Sequence, residues 1–154
     1  MSKHDEVLQT IRTAIEHERD VTRAMEVTVA TLQNNLPGYS WVGVYLLDGN
    51  ELVLGPFVGR RSPHTRIPLG RGICGAAASE KATIVVDDVN ADDRYLACSP
   101  DTKSEIVVPI MRNGDVLGEI DVDSDRAAAF GEPDRTLLES VAGLLADRIT
   151  PPAR

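Results

Sequence analysis

Two cysteines and three acids between residues 74 and 123 are suited to thiol chemistry. Cys74 follows a glycine-rich stretch, and Cys98 lies in a polar segment with Glu105 seven residues further on. Asp121 and Asp123 follow on an apolar strand, where residues two apart share one face. This pattern predicts a reactive thiol in a pocket that is walled by acids.

The chemistry of such a site follows from its two kinds of group. A thiolate is a nucleophile, while crowded carboxylates raise one another's pKa, so that one can stay protonated and act as a proton donor. Arg94 and Lys103 flank Cys98 in the sequence and would favour its thiolate. The helix predicted near residues 70–81 would place Cys74 near its first turn, and the N-terminal amides of a helix also favour a thiolate.

Plainer interpretations of the same residues stay open at this point. Cys98 fits an incidental loop cysteine, and Cys74 fits a small buried packing residue. Glu105, Asp121 and Asp123 fit the solvated faces of edge strands. The residue pattern alone does not choose between these interpretations and a catalytic site.

Composition and charge exclude several classes of function. The chain has 154 residues, of which 42% are apolar, and this length predicts a single domain, residues 1–154. The net charge of -8 would repel a phosphate backbone or an anionic membrane surface, so neither nucleic acid nor membrane is expected as a partner. No apolar run approaches about 20 residues and no signal segment is evident, which favours a cytoplasmic protein.

The cysteine and histidine spacings predict neither a permanent disulfide nor a metal site. Two cysteines in a reducing compartment are more often catalytic than structural. His4, His17 and His64 do not occur at the spacings of zinc motifs. We therefore expect no metal and no cofactor.

The spacing of apolar residues along the chain predicts a mixture of helices and strands, in an order typical of an α+β fold. Apolar residues recur every three or four positions over residues 1–36, which predicts two helices with a bend near residues 18–20; the same stripe also suits a helix that forms a homodimer. Hairpins are predicted for residues 41–57 and 105–122, a helix near 70–81, a strand at 83–86 and a closing helix at 133–149. Residues 59–68 and 87–103 are predicted as loops. The sum is a central antiparallel sheet flanked by N- and C-terminal helices, with residues 41–149 as sheet core and closing helix.

Six segments together resemble a known family, the free methionine-(R)-sulfoxide reductases, which are stand-alone GAF domains. The similarity covers roughly residues 41–149. The segments are WVGVYLL at 41–47, ELVLGPF at 51–57, RIPLGRGICG at 66–75, AC at 97–98, SEIV at 104–107 and DVDS at 121–124. The combination of cysteine, glutamate and paired aspartates is uncommon among GAF domains, which makes the resemblance specific.

The resemblance implies a role for each of these residues. Cys98 matches the catalytic nucleophile of the family, and Cys74 matches a cysteine that can resolve the oxidised form. The acids Glu105, Asp121 and Asp123 would line the substrate pocket together with the aromatic side chains of Trp41 and Tyr45. Many relatives carry a third cysteine where this chain has His64, so Cys74 is left as the resolving candidate within the chain.

The resemblance therefore implies an enzyme that reduces free L-methionine (R)-S-oxide. The route would run through a cysteine sulfenic acid and a disulfide, with a thioredoxin-type dithiol as the reductant. The alternative is a non-catalytic GAF module that binds a small molecule or senses redox state. A third possibility is a scaffold that dimerises through its N-terminal helices.

Overall fold

Ten main elements form one layered arrangement around a sheet. The structure is a computed structural model, and it describes residues 1–97 and 99–150. In chain order the elements are α1 (Lys3–His17), α2 (Val21–Asn35), β1 (Trp41–Asp48), β2 (Glu51–Val58), β3 (Arg66–Pro68), α3 (Gly72–Glu80), β4 (Ile84–Val86), a short 3-10 helix (Val89–Ala91), β5 (Ser104–Arg112), β6 (Asp115–Ser124) and α4 (Glu132–Ala146).

Side-chain caps set the boundary between the first two helices. The Ser2 hydroxyl accepts a hydrogen bond from the amide of Asp5 at 3.1 Å at the start of α1. At the start of α2, the Asp20 carboxylate accepts one from the amide of Thr22 at 2.8 Å. Both caps satisfy N–H groups that a helix leaves unpaired. The helices therefore separate at the predicted bend.

The strands pair in the order β3-β2-β1-β6-β5-β4, and all five pairings are antiparallel. Tight turns close the two predicted hairpins. Gly49 lies at a φ of 62° in the first turn, and Asn113 and Gly114 lie at 53° and 82° in the second. Glycine and asparagine tolerate this left-handed conformation best, which is why the turns form at these positions. The fold class is confirmed as α+β with a central antiparallel sheet.

Each face of the sheet is covered by different elements. Helices α1, α2 and α4 cover one face and form the larger apolar core with Val42, Val44, Ile120 and Val122. Helix α3 and the loops cover the other face. Because both faces of the central strands are buried, a polar residue on either face lies inside the protein.

The apolar stripe of the N-terminal helices is used within the chain. Val7, Ile11 and Ile15 of α1 and Met25 and Val29 of α2 are at most 2% exposed and belong to the core around α4. Packing within the chain therefore accounts for the stripe, and a homodimer stays a prediction. Among the described residues, no helix has both the length and the apolar character that crossing a membrane requires.

Three boundaries differ from the sequence prediction. Residues 66–68, predicted as loop, form β3, because Ile67 is buried and pairs with Leu52 at the free edge of β2. The closing helix ends at Ala146 rather than at residue 149, although Ile149 still packs into the core. The predicted loop 87–103 contains a 3-10 turn, whose Val89 is fully buried and anchors it.

Candidate active site

Three predicted acids meet on the face of the sheet that α3 covers. Glu105 on β5 pairs directly with Asp123 on β6, and Asp121 lies two residues earlier on the same face. Their exposed fractions are 5%, 3% and 3%. Since β6 lies between β1 and β5, the interpretation of these acids as solvated faces of edge strands is wrong.

Helix α3 brings a thiol to the same acids. Cys74 is the third residue of α3 and is 6% exposed. Its Sγ and one carboxylate oxygen each of Glu105 and Asp121 lie within 4.8 Å of one another. The predicted juxtaposition of a cysteine with the acid pair therefore exists for Cys74. A thiol and two carboxylates at this separation are also chemically able to hold a cation.

Burial shifts the ionisation of all these acids in one direction. For Glu105, burial first and then the charges of Asp121 and Asp123 raise the pKa well above its ordinary value. Burial also raises the pKa of Asp121, and burial together with the charge of Asp121 raises that of Asp123. Close carboxylates in a dry environment cannot all ionise, so this cluster retains protons that it can donate.

The expectation of a helix-stabilised thiolate at Cys74 is wrong. Burial raises the pKa of the Cys74 thiol well above its ordinary value, and the charges of Asp121 and Glu119 raise it further. The N-terminal turn of α3 contributes only a modest opposing effect. In the resting protein Cys74 is therefore a neutral thiol, not a ready nucleophile.

A fourth acid, Glu119, belongs to the cluster and was not predicted from the sequence. It is fully buried on β6, opposite Tyr45, and its carboxyl group lies near the Cys74 thiol. Burial, followed by the charge of Asp121, raises its pKa well above the ordinary value. The sequence does contain a signal for Glu119, because residues 119, 121 and 123 follow the same two-residue period of a strand.

The two predicted aromatic residues flank the acids on β1. Trp41 lies opposite Asp123, stacks on Phe57 with ring centroids 5.8 Å apart, and donates its Nε1–H to the carbonyl of Arg60 at 2.9 Å. Tyr45 donates its hydroxyl hydrogen to the carbonyl of His64 at 2.9 Å. Both rings are therefore held by the loop that follows β2.

A small inner cavity opens onto the thiol and two of the acids. His64, which the sequence left without a defined role, also lines it, and its Nε2 lies 3.1 Å from the carbonyl oxygen of Ala97. The lining residues are Tyr45, His64, Ile67, Gly72, Ile73, Cys74, Leu96, Glu105 and Asp121.

An outer cleft lies beside Trp41 and Asp123. Arg60 and Arg61, two cations that the sequence did not single out, line it. Asp123 lines this cleft and its strand partner Glu105 lines the inner cavity, so the two spaces lie near one another. The site thus has an acidic floor with cations near its outer end.

The predicted nucleophile, Cys98, lies outside the described residues. Its chain neighbours are described, and both contact the loop after β2: Ala97 through His64, and Ser99 through a 2.8 Å hydrogen bond from Arg60. Of the two cations thought to favour a Cys98 thiolate, Arg94 is engaged by Asp92 at 2.7 Å and Lys103 is exposed.

Comparison with known proteins defines the family. The GAF domain model matches residues 20–149. The chain belongs to the GAF domain family. Within it, the chain is 36% identical over 118 residues to the free methionine-R-sulfoxide reductase of Escherichia coli, covering 77% of this chain and 71% of that protein.

Solved structures of GAF proteins extend the similarity to the whole fold. The free methionine-R-sulfoxide reductase of Neisseria meningitidis, solved in complex with its substrate, matches with a TM-score of 0.90 and 41% identity, over 95% of this chain and 87% of that one. The substrate complex of fRMsr from Staphylococcus aureus matches with a TM-score of 0.87 and 35% identity, over 96% and 95% of the two chains. This GAF protein is thus a member of the free methionine-R-sulfoxide reductase family, and the expectation of an enzyme of that type is confirmed at the level of family membership.

Proposed function

We propose that this GAF protein reduces free methionine-(R)-sulfoxide to methionine by thiol chemistry. One observation carries the proposal: a buried thiol and two acids with raised pKa values lie within 4.8 Å of one another beside a cavity. A sulfoxide needs a proton at its oxygen and a thiol at its sulfur, and this arrangement offers proton donors next to sulfur. The family relationship supports the same substrate.

In the first step Cys98 is the nucleophile. Its thiolate attacks the sulfoxide sulfur while an acid of the cluster protonates the sulfoxide oxygen, the oxygen passes to Cys98, and methionine leaves. The cysteine sulfur is oxidised by two electrons to a sulfenic acid, and the substrate sulfur is reduced by the same two electrons. The contacts of Ala97 and Ser99 with the loop that lines both cavities support a position of this chain segment beside the site.

In the second step Cys74 resolves the oxidised form. Its thiol condenses with the Cys98 sulfenic acid, which forms a disulfide and releases water. The raised pKa of Cys74 suits this order of events, because a neutral buried thiol does not compete for the substrate and needs a neighbouring base only once the sulfenic acid is present. A thioredoxin-type dithiol then exchanges with the disulfide and restores both thiols.

The acids and aromatic residues would recognise the free amino acid. Glu105, Asp121 and Asp123 offer negative charge to an ammonium group and protons to the sulfoxide oxygen. Trp41 and Tyr45, held by the loop after β2, would enclose the methylsulfinyl end of the substrate. An amino acid that is joined into a peptide chain lacks the free ammonium group, so the acidic floor favours the free form.

An NADPH-coupled assay with thioredoxin and thioredoxin reductase tests the proposal. We expect turnover of the free R epimer and none of the S epimer. The variant Cys98→Ser should lose all turnover, whereas Cys74→Ser should still release about one methionine per protein molecule but fail to recycle. Glu26→Gln, on an exposed face of α2, is the control.

Two results would contradict the proposal. Full turnover by Cys98→Ser would show that Cys98 is not the nucleophile. The absence of turnover by the wild-type protein, combined with tight binding of another metabolite, would instead identify a non-catalytic GAF binding module.

A further inference from the structure

We infer that the reduced protein holds one zinc-class divalent cation between Cys74, Glu105 and Asp121. Nothing in the sequence spacing suggests this site, since its three ligands come from three different elements, α3, β5 and β6. The site does not depend on the proposed reduction: it would exist whether or not the protein acts on a sulfoxide.

The distances are suitable for a small cation. One ligand atom from each of the three residues lies within 4.8 Å of the others. A tetrahedral zinc ion has bonds of about 2.3 Å to sulfur and about 2.0–2.2 Å to oxygen, which requires ligand atoms roughly 3.5 Å apart. Side-chain rotations that close the separations by about an ångström would therefore complete three of the four positions.

Unpaired buried oxygens supply an independent reason for a cation. One carboxylate oxygen of Asp121 and one of Asp123 have no hydrogen-bond partner, although these residues are at most 3% exposed. Buried polar atoms without partners are costly, and a cation would pair with these oxygens as the carboxyl groups give up their protons. Asp121 lines the inner cavity together with Cys74 and Glu105.

The donor set selects the class of ion. One thiolate with carboxylate oxygens suits Zn²⁺ or Co²⁺. Hard ions such as Mg²⁺ and Ca²⁺ take six or more oxygen ligands and avoid sulfur, which this cluster does not match. A fourth ligand is available from a carboxylate oxygen of Glu119 or Asp123, or from a water molecule in the inner cavity.

Binding would release at least one proton. The resting Cys74 is a neutral thiol, and a metal binds only the thiolate, so the thiol proton must leave as the metal–sulfur bond forms. Because the ligands line the inner cavity, a bound ion would also occupy the space proposed for the substrate.

Cobalt provides a direct optical test on the full-length protein, kept reduced with a phosphine instead of a thiol. Titration with Co²⁺ should produce a near-ultraviolet thiolate-to-cobalt charge-transfer band with a stoichiometry of one. The band should persist in Cys98→Ser and disappear in Cys74→Ser. Glu105→Gln and Asp121→Asn should weaken binding by at least about tenfold, and Glu139→Gln, on the outside of α4, should leave it unchanged.

Calorimetry of Zn²⁺ binding to the wild-type protein in two buffers of different ionisation enthalpy keeps the test independent of any variant that fails to fold. It should report the release of one or more protons per ion. The inference is overturned if the wild-type protein gives no charge-transfer band. It is equally overturned if the band survives Cys74→Ser and vanishes in Cys98→Ser, if both acid variants bind as the wild type does, or if no proton is released.

Discussion

The buried Glu119 should make the protein less stable as the pH rises, and Glu119→Gln should remove this effect. Burial raises the pKa of the native carboxyl above 4.5, its ordinary value. Above that pH the native state therefore holds more protons at this residue than the unfolded state does. Under linkage, the free energy of unfolding then falls with increasing pH until the native pKa is reached.

The magnitude follows from the proton count. Each carboxyl that is protonated in the native state and ionised in the unfolded state contributes a slope of about 1.4 kcal/mol per pH unit. Above about pH 5.5, and up to the raised native pKa of Glu119, the wild-type protein should therefore lose up to about 1.4 kcal/mol per pH unit more than Glu119→Gln does. Complete burial justifies the full slope, since solvent does not screen the group. The buried amide of Glu119→Gln would change the free energy of unfolding by the same amount at every pH, so it would not affect this comparison of slopes.

Urea denaturation at a series of pH values measures the two profiles. The variant should give a flatter curve than the wild type, and Glu26→Gln, the same chemical change at an exposed position of α2, should give a curve parallel to the wild type. Equal m-values would show that the unfolded state is comparable. Parallel wild-type and Glu119→Gln profiles would refute the argument that burial keeps this carboxyl neutral.

Two further predictions concern packing. An alanine at Gly43 would place its Cβ 2.7 Å from Cζ3 of Trp41, so Gly43→Ala should displace the indole, raise the KM for the sulfoxide and cost about 1–3 kcal/mol of stability. The control Gly143→Ala, at an open site on α4, should instead stabilise the protein by up to about 1 kcal/mol. An unchanged KM in Gly43→Ala would contradict the role of the ring. Tyr39 donates a 2.8 Å hydrogen bond to Asp134, so Tyr39→Phe should lower the free energy of unfolding by about 1.5–3 kcal/mol, and thermal unfolding that matches the wild type would disprove that value.

Local patterns predicted most of the elements. The three-to-four-residue period over residues 1–36 predicted both N-terminal helices. Ser2 caps the first helix at its start, and Asp20 caps the second helix where the apolar stripe breaks. The hairpin turns at Gly49 and Gly114 were equally predictable, since their positive φ values follow from residue type. Strand β3 was missed because three residues carry too little periodicity, and only pairing with the edge of β2 makes them a strand.

The site was predicted in part. The shared face of Asp121 and Asp123 follows from the two-residue period of a strand, and Glu119 continues that period. Their burial does not follow, because an alternating strand looks the same whether one or both faces of the sheet are covered. The assignment of Cys98 as nucleophile stays a prediction, since that residue lies outside the described part of the chain.

The direction of the pKa shift at Cys74 could not be predicted from the sequence. A helix N-terminus can be recognised from the sequence, and it favours a thiolate. The packing of α3 against β5 and β6 removes water and places acids beside the sulfur, which favours the neutral thiol more strongly. A local electrostatic effect was thus overridden by desolvation, which depends on contacts distant in sequence.

The amino-acid sequence by itself determined the order of the helices and strands and which residues share a strand face, because those depend on dihedral preferences and on periods of a few residues. Only the tertiary structure decided that the acids are buried, that Cys74 meets Glu105 and Asp121, and that burial raises the pKa of each of these groups. The physical reason is that dielectric environment and charge proximity are set by chain segments that fold together from distant positions.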